Sequence, residues 1–467
     1  MQRIPPIISS SLIFLALLAA VGLPIVASGY SDLRRAETAQ VSGDRAGAAK
    51  AYQSAAQRLP WRNDLWEQAG RSALLAGQPE QAIQFLQKVK QLSVEGRLAL
   101  GDAYVQTGKL DQALTIYQAL LAENGASAET YARIAGVYRT RGDVDAERTA
   151  LQNELLLSAD NAAAQYRLGL LLSLVNINSA MTHLQLASRL DPEYASVFQT
   201  LRITLTLADL EPTETGRLVT LGRGLALVDE WQLAARAFES AAGAEAGNAQ
   251  AWAWLGEAKQ HLGQDGRGDL DKALSLDGNS VVVRGLRGLY WKRQGNDRQA
   301  LLEYQAAAAL EPDNPAWKAS LGETYARLGD LVSALAAYQR ATEVAPQEST
   351  YWRLLAVFCS QYGVQVREIG LPAAQKSVDL SPDDPLALDA LGTAQLSLGE
   401  FYTAGQTLLK ALDKMPDFAS ARLHLAMVYL QTGDRSSAYD QLLRVQKLDP
   451  QGAAGQQATQ MLQQYFP

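Results

Sequence analysis

The chain has 467 residues, 48% of them hydrophobic and 19% charged, with a formal net charge of −7. It is too long for one compact core, too apolar for a disordered chain, and too acidic and free of basic tracts for a general nucleic-acid binder. The single cysteine, Cys359, excludes an internal disulfide, and the wealth of Ala, Leu and Gln favours helices over strands.

Taken in chain order, the first feature is a segment without charge from Ile4 to Tyr30, with Arg3 before it and Arg34 and Arg35 after it. Its apolar stretch, residues 7–27, has the length of about 20 residues that spans a hydrocarbon core. Two readings stand, an uncleaved signal anchor or a signal peptide cleaved at Val26-Ala27-Ser28. The stretch exceeds the about 7–15 apolar residues of a cleaved signal, which favours the anchor, and no nearby cysteine offers a lipoprotein site. A buried first helix of the following array is a third reading, but it requires hiding a helix apolar on all sides at a chain end. The flanking basic residues nearly balance and orient the segment poorly. Either signal reading exports the remainder, so the expectation is a membrane-anchored, extracytoplasmic chain, or a secreted one after cleavage near Ser28.

Beyond this segment the chain repeats itself. Glycines recur at Gly108 and Gly142, then at Gly295, Gly329, Gly363, Gly399 and Gly433, most of them followed by Asp, Asn or Glu. Pro312, Pro346, Pro382, Pro416 and Pro450 recur at spacings of 34, 36, 34 and 34 residues. A glycine after an apolar helix is a left-handed C-cap, the acid or amide after it caps the next helix, and proline ends that one. Each unit is thus expected to be two helices of about four turns joined by a tight turn. About twelve units start near Gly29, Asn63, Val94, Ala128, Asn161, Thr215, Ala249, Val281, Pro315, Ser349, Pro385 and Ala419. The unit at 161–192 has a short turn at Asn176-Ile177-Asn178, that at 249–278 is short, and that at 349–382 has a two-residue insertion near Gln365. The expected organisation is 1–28 signal segment, 29–192 first block, 193–214 irregular helix or hinge, 215–450 second block, and 451–467 capping helix.

Within units the apolar residues keep helical spacing. They are Leu321, Gly322, Tyr325, Ala334, Tyr338 and Ala341 in one unit, and Gly288, Trp291, Ala300, Tyr304 and Ala307 in the unit before it. Leu425, Ala426, Tyr429, Ala438, Leu442 and Val445 repeat the pattern near the C-terminus. Small residues let helices approach closely and large ones fill the space between them. With Trp252, Leu255-Gly256, and Trp352 with Leu355 at the opening positions, this pattern resembles the tetratricopeptide repeat family over nearly everything after the N-terminal segment.

The resemblance implies an all-α, right-handed superhelical solenoid of helix-turn-helix units whose first helices line a concave groove. Groove positions would be the second, fifth, ninth, twelfth and thirteenth of each unit. On that basis the candidate partner-binding residues are Leu289, Lys292, Arg293, Glu323, Arg327, Arg353, Leu423, Met427 and Leu430. Such a groove, small and apolar with scattered basic residues, suits an extended peptide or a helix with an apolar stripe. The Lys and Asn of the family's carboxylate clamp are missing from the fifth and ninth positions.

Catalytic chemistry is not legible. His183, His261 and His424 fall in separate units, too far apart in a linear array for a zinc site or a triad. Cys359 takes a core position, and Trp252, Trp291 and Trp352 take packing positions. Leu221-Gly222-Arg223-Gly224 lacks the third glycine of a dinucleotide fingerprint. Arg267-Gly268-Asp269 resembles an adhesion tripeptide but serves a turn, Asp383-Asp384 reads as a helix cap, and the basic residues of 284–298 read as a solvated surface. The expected function is a non-catalytic scaffold or adaptor without cofactor or metal, binding protein or peptide partners but no nucleic acid, with membrane contact through residues 7–27. Alternatives are an auxiliary subunit of an envelope-biogenesis or polysaccharide/lipoprotein export machine, and the repeat region of a glycosyltransferase-type enzyme. Oligomeric state is not encoded legibly.

Overall fold

The computed structural model describes the backbone of residues 6–467 and the side chains from Leu23 onward. Among the described residues there are 26 α-helices, a 3-10 turn at Pro192–Tyr194, a π turn at Val366–Gly370, and no strand. The chain divides into two units, Met1–Glu211 and Pro212–Pro467.

The first unit holds α1 (Pro6–Val41), α2 (Arg45–Arg58), α3 (Asp64–Leu75), α4 (Pro79–Leu86), α5 (Val94–Gln106), α6 (Leu110–Asn124), α7 (Ala128–Arg141), α8 (Val144–Leu157), α9 (Ala162–Ser173), α10 (Ile177–Leu190) and α11 (Ala195–Asp209). Helices α1 to α10 pack as successive hairpins, and α11 lies on α10. The second unit holds α12 (Glu214–Leu227), α13 (Trp231–Ala244), α14 (Ala249–His261), α15 (Arg267–Leu276), α16 (Val281–Arg293), α17 (Asp297–Leu310), α18 (Pro315–Arg327), α19 (Leu331–Val344), α20 (Ser349–Tyr362), α21 (Leu371–Leu380), α22 (Pro385–Ser397), α23 (Phe401–Lys414), α24 (Ala419–Gln431), α25 (Arg435–Leu448) and α26 (Ala453–Tyr465). Here α12 to α25 pair as hairpins, and α26 closes the unit against α25 and α24. We call the first helix of each hairpin the A helix and the second the B helix.

The turns follow the sequence pattern. Gly108, Gly142, Gly295, Gly329, Gly363, Gly399 and Gly433 all have positive φ, between 66° and 82°. Asp143, Asn296, Asp330 and Asp434 then cap the following helix by accepting the amide three residues on. Glu400, one methylene longer than Asp, makes no such bond. The insertion near Gln365 is absorbed locally, with Gln365 at φ 44° and the π turn placed before α21.

Seven hairpins close by setting a glycine in the middle of the A helix against a large residue of the B helix. A Cβ at Gly101 would lie within 3 Å of the Tyr117 ring, and the same holds for Gly222 against Phe238, Gly288 against Tyr304, and Gly322 against Tyr338. Leucine takes the aromatic's place against Gly70, Gly169 and Gly392. A second device was not anticipated from sequence. The fourth residue of an A helix reaches back six residues to a backbone carbonyl: Trp252 Nε1 donates to Ala246 O at 3.0 Å, Arg284 Nε to Gly278 O at 2.8 Å, Trp352 Nε1 to Pro346 O at 2.9 Å and Arg422 Nε to Pro416 O at 3.0 Å. Chemically unlike side chains thus satisfy the same exposed carbonyl in the loop between hairpins.

The N-terminal expectation requires correction. Residues 7–22 of the expected membrane segment lie outside the residues whose side chains are described. Helix α1 runs unbroken through position 28. Its later half is the A helix of the first hairpin: Gly29 packs on Leu59, Asp32 pairs with Arg58, and Ala36 is fully buried. Among the described residues no helix is long and apolar enough to cross a membrane. The transmembrane or signal helix, and with it the extracytoplasmic or secreted location, is therefore not carried forward.

Candidate partner-binding face

The residues expected to line the groove lie on A helices of the second unit, and most of the charged ones are already paired. Lys292 Nζ lies 2.7 Å from both carboxylate oxygens of Glu323, on the next A helix. Arg293 donates two bonds of 2.7 Å to Glu257, on the preceding A helix. Glu257 is only 3% exposed and also meets His261 Nε2 at 3.2 Å, while the His261 ring stacks on Trp231 at 3.5 Å. Arg327 Nε donates to Asp297 at 2.7 Å. Arg353 is half-buried and has no ion-pair partner among the described residues. Leu289 is half-buried. Leu423 faces inward: it is 3% exposed and shares a core with Ala426, Leu442, Val445 and Ala458, so α26 covers it. Met427 and Leu430 line a cavity of about 800 Å³ bounded by α22, α24 and α26 and the starts of α23 and α25.

The basic stretch 284–298 is not the solvated surface expected. Arg284 and Arg287 grip the buried Glu303 at 2.8 and 3.0 Å, and Arg287 also reaches Asp271. With Lys292 and Arg293 paired as above, most of this charge holds neighbouring helices together. The partners stand 16 to 36 residues away in sequence, so a helical wheel of α16 alone does not reveal them.

The ninth residues of successive A helices, from α14 to α24, are Glu257, Leu289, Glu323, Val357, Thr393 and Met427. Acids end after Glu323, and the face turns from self-neutralising to apolar and neutral towards the C-terminus.

The histidines remain in separate hairpins. His183 Nδ1 bonds Gln165 at 2.6 Å, and burial lowers its basicity. His424 Nδ1 meets Asp389 at 2.7 Å, and Ser420 Oγ donates to the other oxygen of that carboxylate at 3.0 Å. Serine, histidine and aspartate thus come together, but the serine hydroxyl is bonded to the carboxylate and not to the imidazole, so the serine–histidine contact of a triad is not formed. No group of three or more metal-ligating side chains is gathered among the described residues. Cys359 is fully buried, and burial pushes its thiol up to about 11. Arg267-Gly268-Asp269 opens α15, with Asp269 bound by Lys259 at 2.7 Å, and is therefore helix and not an exposed loop. Asp384 caps α22 as expected, while Asp383 pairs with Lys414 at 2.6 Å.

These features define a class, an array of stacked helical hairpins. Models of the tetratricopeptide repeat match residues 98–165, 293–357 and 390–453, and the chain carries tetratricopeptide repeats in an all-helical solenoid. It is similar to Superkiller complex protein 3 of Mus musculus, 26% identical over 348 residues that cover 69% of this chain and 20% of that protein. The Homo sapiens protein of the same name is 25% identical over 299 residues, covering 58% and 17%. The chain therefore spans about a fifth of the length of the curated relatives it matches. Among solved structures, the Cut9-Hcn1 hetero-tetramer of the APC/C aligns with a TM-score of 0.41 at 14% identity, covering 93% of this chain and 95% of that one. Tetratricopeptide repeats act in general as non-catalytic scaffolds that bind proteins or peptides.

Proposed function

We propose that this chain is a non-catalytic scaffold that binds an extended peptide or an amphipathic helix of a partner protein along the A-helix face of its second unit. One observation carries the reading: that face neutralises its own charges around Glu257 and Glu323, and beyond them presents the unpaired Arg353 and the apolar Met427 and Leu430. Leu289, Lys292, Arg293, Glu323, Arg327 and Arg353 would form the longer part of the surface, with Lys292, Arg293 and Arg327 serving as its rigid, neutral walls. The relatives are by name members of a complex, which supports a role inside an assembly.

A second reading is favoured by the opposite face. B helices expose Leu302 at 58%, Val332 at 83% and Tyr402 at 77%, more than any large apolar side chain of the A helices beside them. A partner that docks on the outside would use these. Photo-crosslinking groups placed singly at Leu289, Arg353, Leu302 and Val332 of the full chain separate the two. A partner trapped from Leu289 and Arg353 alone supports the A-helix face, a partner trapped from Leu302 and Val332 alone replaces it with the outer face, and a partner trapped from neither pair sinks the scaffold reading.

A further inference from the structure

The cavity at the C-terminal end differs from the rest of the A-helix face in how it is built. Its floor is apolar: Leu396 of α22, Phe401 of α23, Met427 and Leu430 of α24, and Met461 of α26. Two of the five methionines of the chain stand here. Methionine has three rotatable bonds and a polarisable sulfur, and it adapts to side chains of different shape. The rim is neutral and bidirectional. Gln431, Gln457 and Gln464 are exposed, and each offers an amide donor and a carbonyl acceptor. That is the chemistry an extended backbone needs, since its N–H and C=O groups alternate along the strand.

Charge completes the pattern. No acidic residue lines the cavity, and its one cation is Arg435. Lys292, Arg293 and Arg327 each face a carboxylate of this chain, whereas Arg435 is held by the backbone carbonyl of Tyr465 and lies 4.9 Å from the centre of the Phe466 ring. A carbonyl orients a guanidinium without neutralising it, so the remaining N–H groups keep a full positive charge at the mouth of an apolar pocket.

From this we infer that the cavity closed by α26 is the anchor pocket for one large apolar side chain of an extended partner peptide. An aspartate or glutamate of the same peptide meets Arg435. The inference rests on the peptide-binding reading above and narrows it to one place and one chemistry. An extended chain advances about 3.3 Å per residue, and a cavity of about 800 Å³ is about 12 Å across, so the acid stands within about four residues of the apolar anchor.

The test uses the full chain and a positional-scanning library of acetylated, amidated octapeptides. The selected octapeptide is then labelled with fluorescein and titrated by anisotropy. The expected selection is Phe, Leu or Met at one position, with Asp or Glu within about four residues of it. Met461→Glu, which puts a charge in the apolar floor, weakens that peptide about tenfold or more. Arg435→Gln removes the preference for an acid. Because that change also loses the bond to Tyr465, Gln457→Glu serves as a second variant that leaves the contacts of α26 in place. It weakens the acidic peptide several-fold and leaves its Asn or Gln counterpart unchanged. Equal binding to wild type, Met461→Glu and Gln457→Glu overturns the pocket; if Arg353→Glu then abolishes binding, the wider A-helix reading survives without it. A library from which nothing is enriched overturns the peptide reading itself. A dimer of the free chain that Met461→Glu dissociates also overturns the inference, because the occupant is then a second copy.

Discussion

Replacing Gly288 by alanine tests the packing rule that seven of these hairpins share. In an exposed helix interior, Gly→Ala stabilises by about 0.5–1 kcal/mol, because glycine loses more backbone freedom on folding. At Gly288 the new Cβ would lie 2.4 Å from Tyr304 Cε1 and 2.6 Å from its Cδ1, against 3.4–4 Å for an ordinary contact. One of the two helices must move by about 1 Å, or the Tyr304 ring must leave its rotamer, at a cost of about 1–3 kcal/mol. The net expectation is destabilisation by about 1–2 kcal/mol. Gly405, in the middle of α23, is the control: its Cβ would meet only Val428 Cγ1, at 3.5 Å. Gly405→Ala should stabilise by about 0.5–1 kcal/mol, so the two substitutions have opposite signs. A repeat array need not unfold in one step, so the readout is local, native-state hydrogen exchange of α16 and α17 beside urea unfolding. Tyr304→Leu in the Gly288→Ala background should recover part of the loss as a favourable coupling energy. If Gly288→Ala stabilises as Gly405→Ala does, the close approach of ring and backbone is not what holds the hairpin.

Other expectations follow from single contacts. Glu257→Gln removes a buried charge shared by Arg293 and His261 and should destabilise by about 1–2 kcal/mol, reduced by the partial exposure of the arginine; an unchanged α14–α16 exchange pattern refutes it. Trp352→Phe keeps an aromatic ring but loses the 2.9 Å bond to Pro346 O and part of the packing of the larger indole, at a cost of about 1–2 kcal/mol measured by urea midpoint. With its thiol raised to about 11, Cys359 is about 0.1% thiolate at pH 8, so iodoacetamide should label it only in denaturant; rapid native labelling contradicts its burial. Burial raises the carboxyl of Glu154 above its ordinary 4.5, against the opposing bond from Asn161. The folded form then binds the proton more tightly than the unfolded one, and this group's contribution grows as pH falls through the folded value towards 4.5. Glu154→Gln should flatten that part of the pH–stability curve, and an unaltered slope refutes the assignment.

The hairpins were legible because their signals are local. A glycine such as Gly329 at φ 82° and an Asp330 that caps α19 both act within four residues, and so does the proline two positions beyond a helix. The small-against-large pairing is also visible, since Gly288 and Tyr304 are separated by a fixed 16 residues whenever the turn has its usual length. What escaped was everything set between units. The carboxylate that Arg293 uses is 36 residues away and the one Lys292 uses is 31, so both depend on how successive A helices are offset. The reach-back of Trp352 and Arg422 escaped for a different reason: the acceptor is a carbonyl, which every residue has, so no residue type advertises it. The N-terminal segment misled because composition reports apolarity but not what a helix continues into, and α1 continues into the first hairpin.

The same offset shows why reading charge from one helix overstated the groove. A cation at the twelfth or thirteenth position of an A helix is neutralised when a neighbouring A helix carries an acid at its ninth. Glu257 and Glu323 supply that acid to Arg293 and Lys292, while Val357, Thr393 and Met427 cannot supply it further along. Net attraction for an acidic partner therefore depends less on how many basic residues a stretch contains than on where the ninth-position acids stop. Thr393→Glu would place a further acid two hairpins beyond Glu323. It should lower the affinity of an acidic peptide in the terminal cavity while leaving Arg293 and Lys292 paired as they are. Unchanged binding by that variant, measured with the octapeptide above at low and at physiological salt, would show that the ninth-position acids do not set the field along this face.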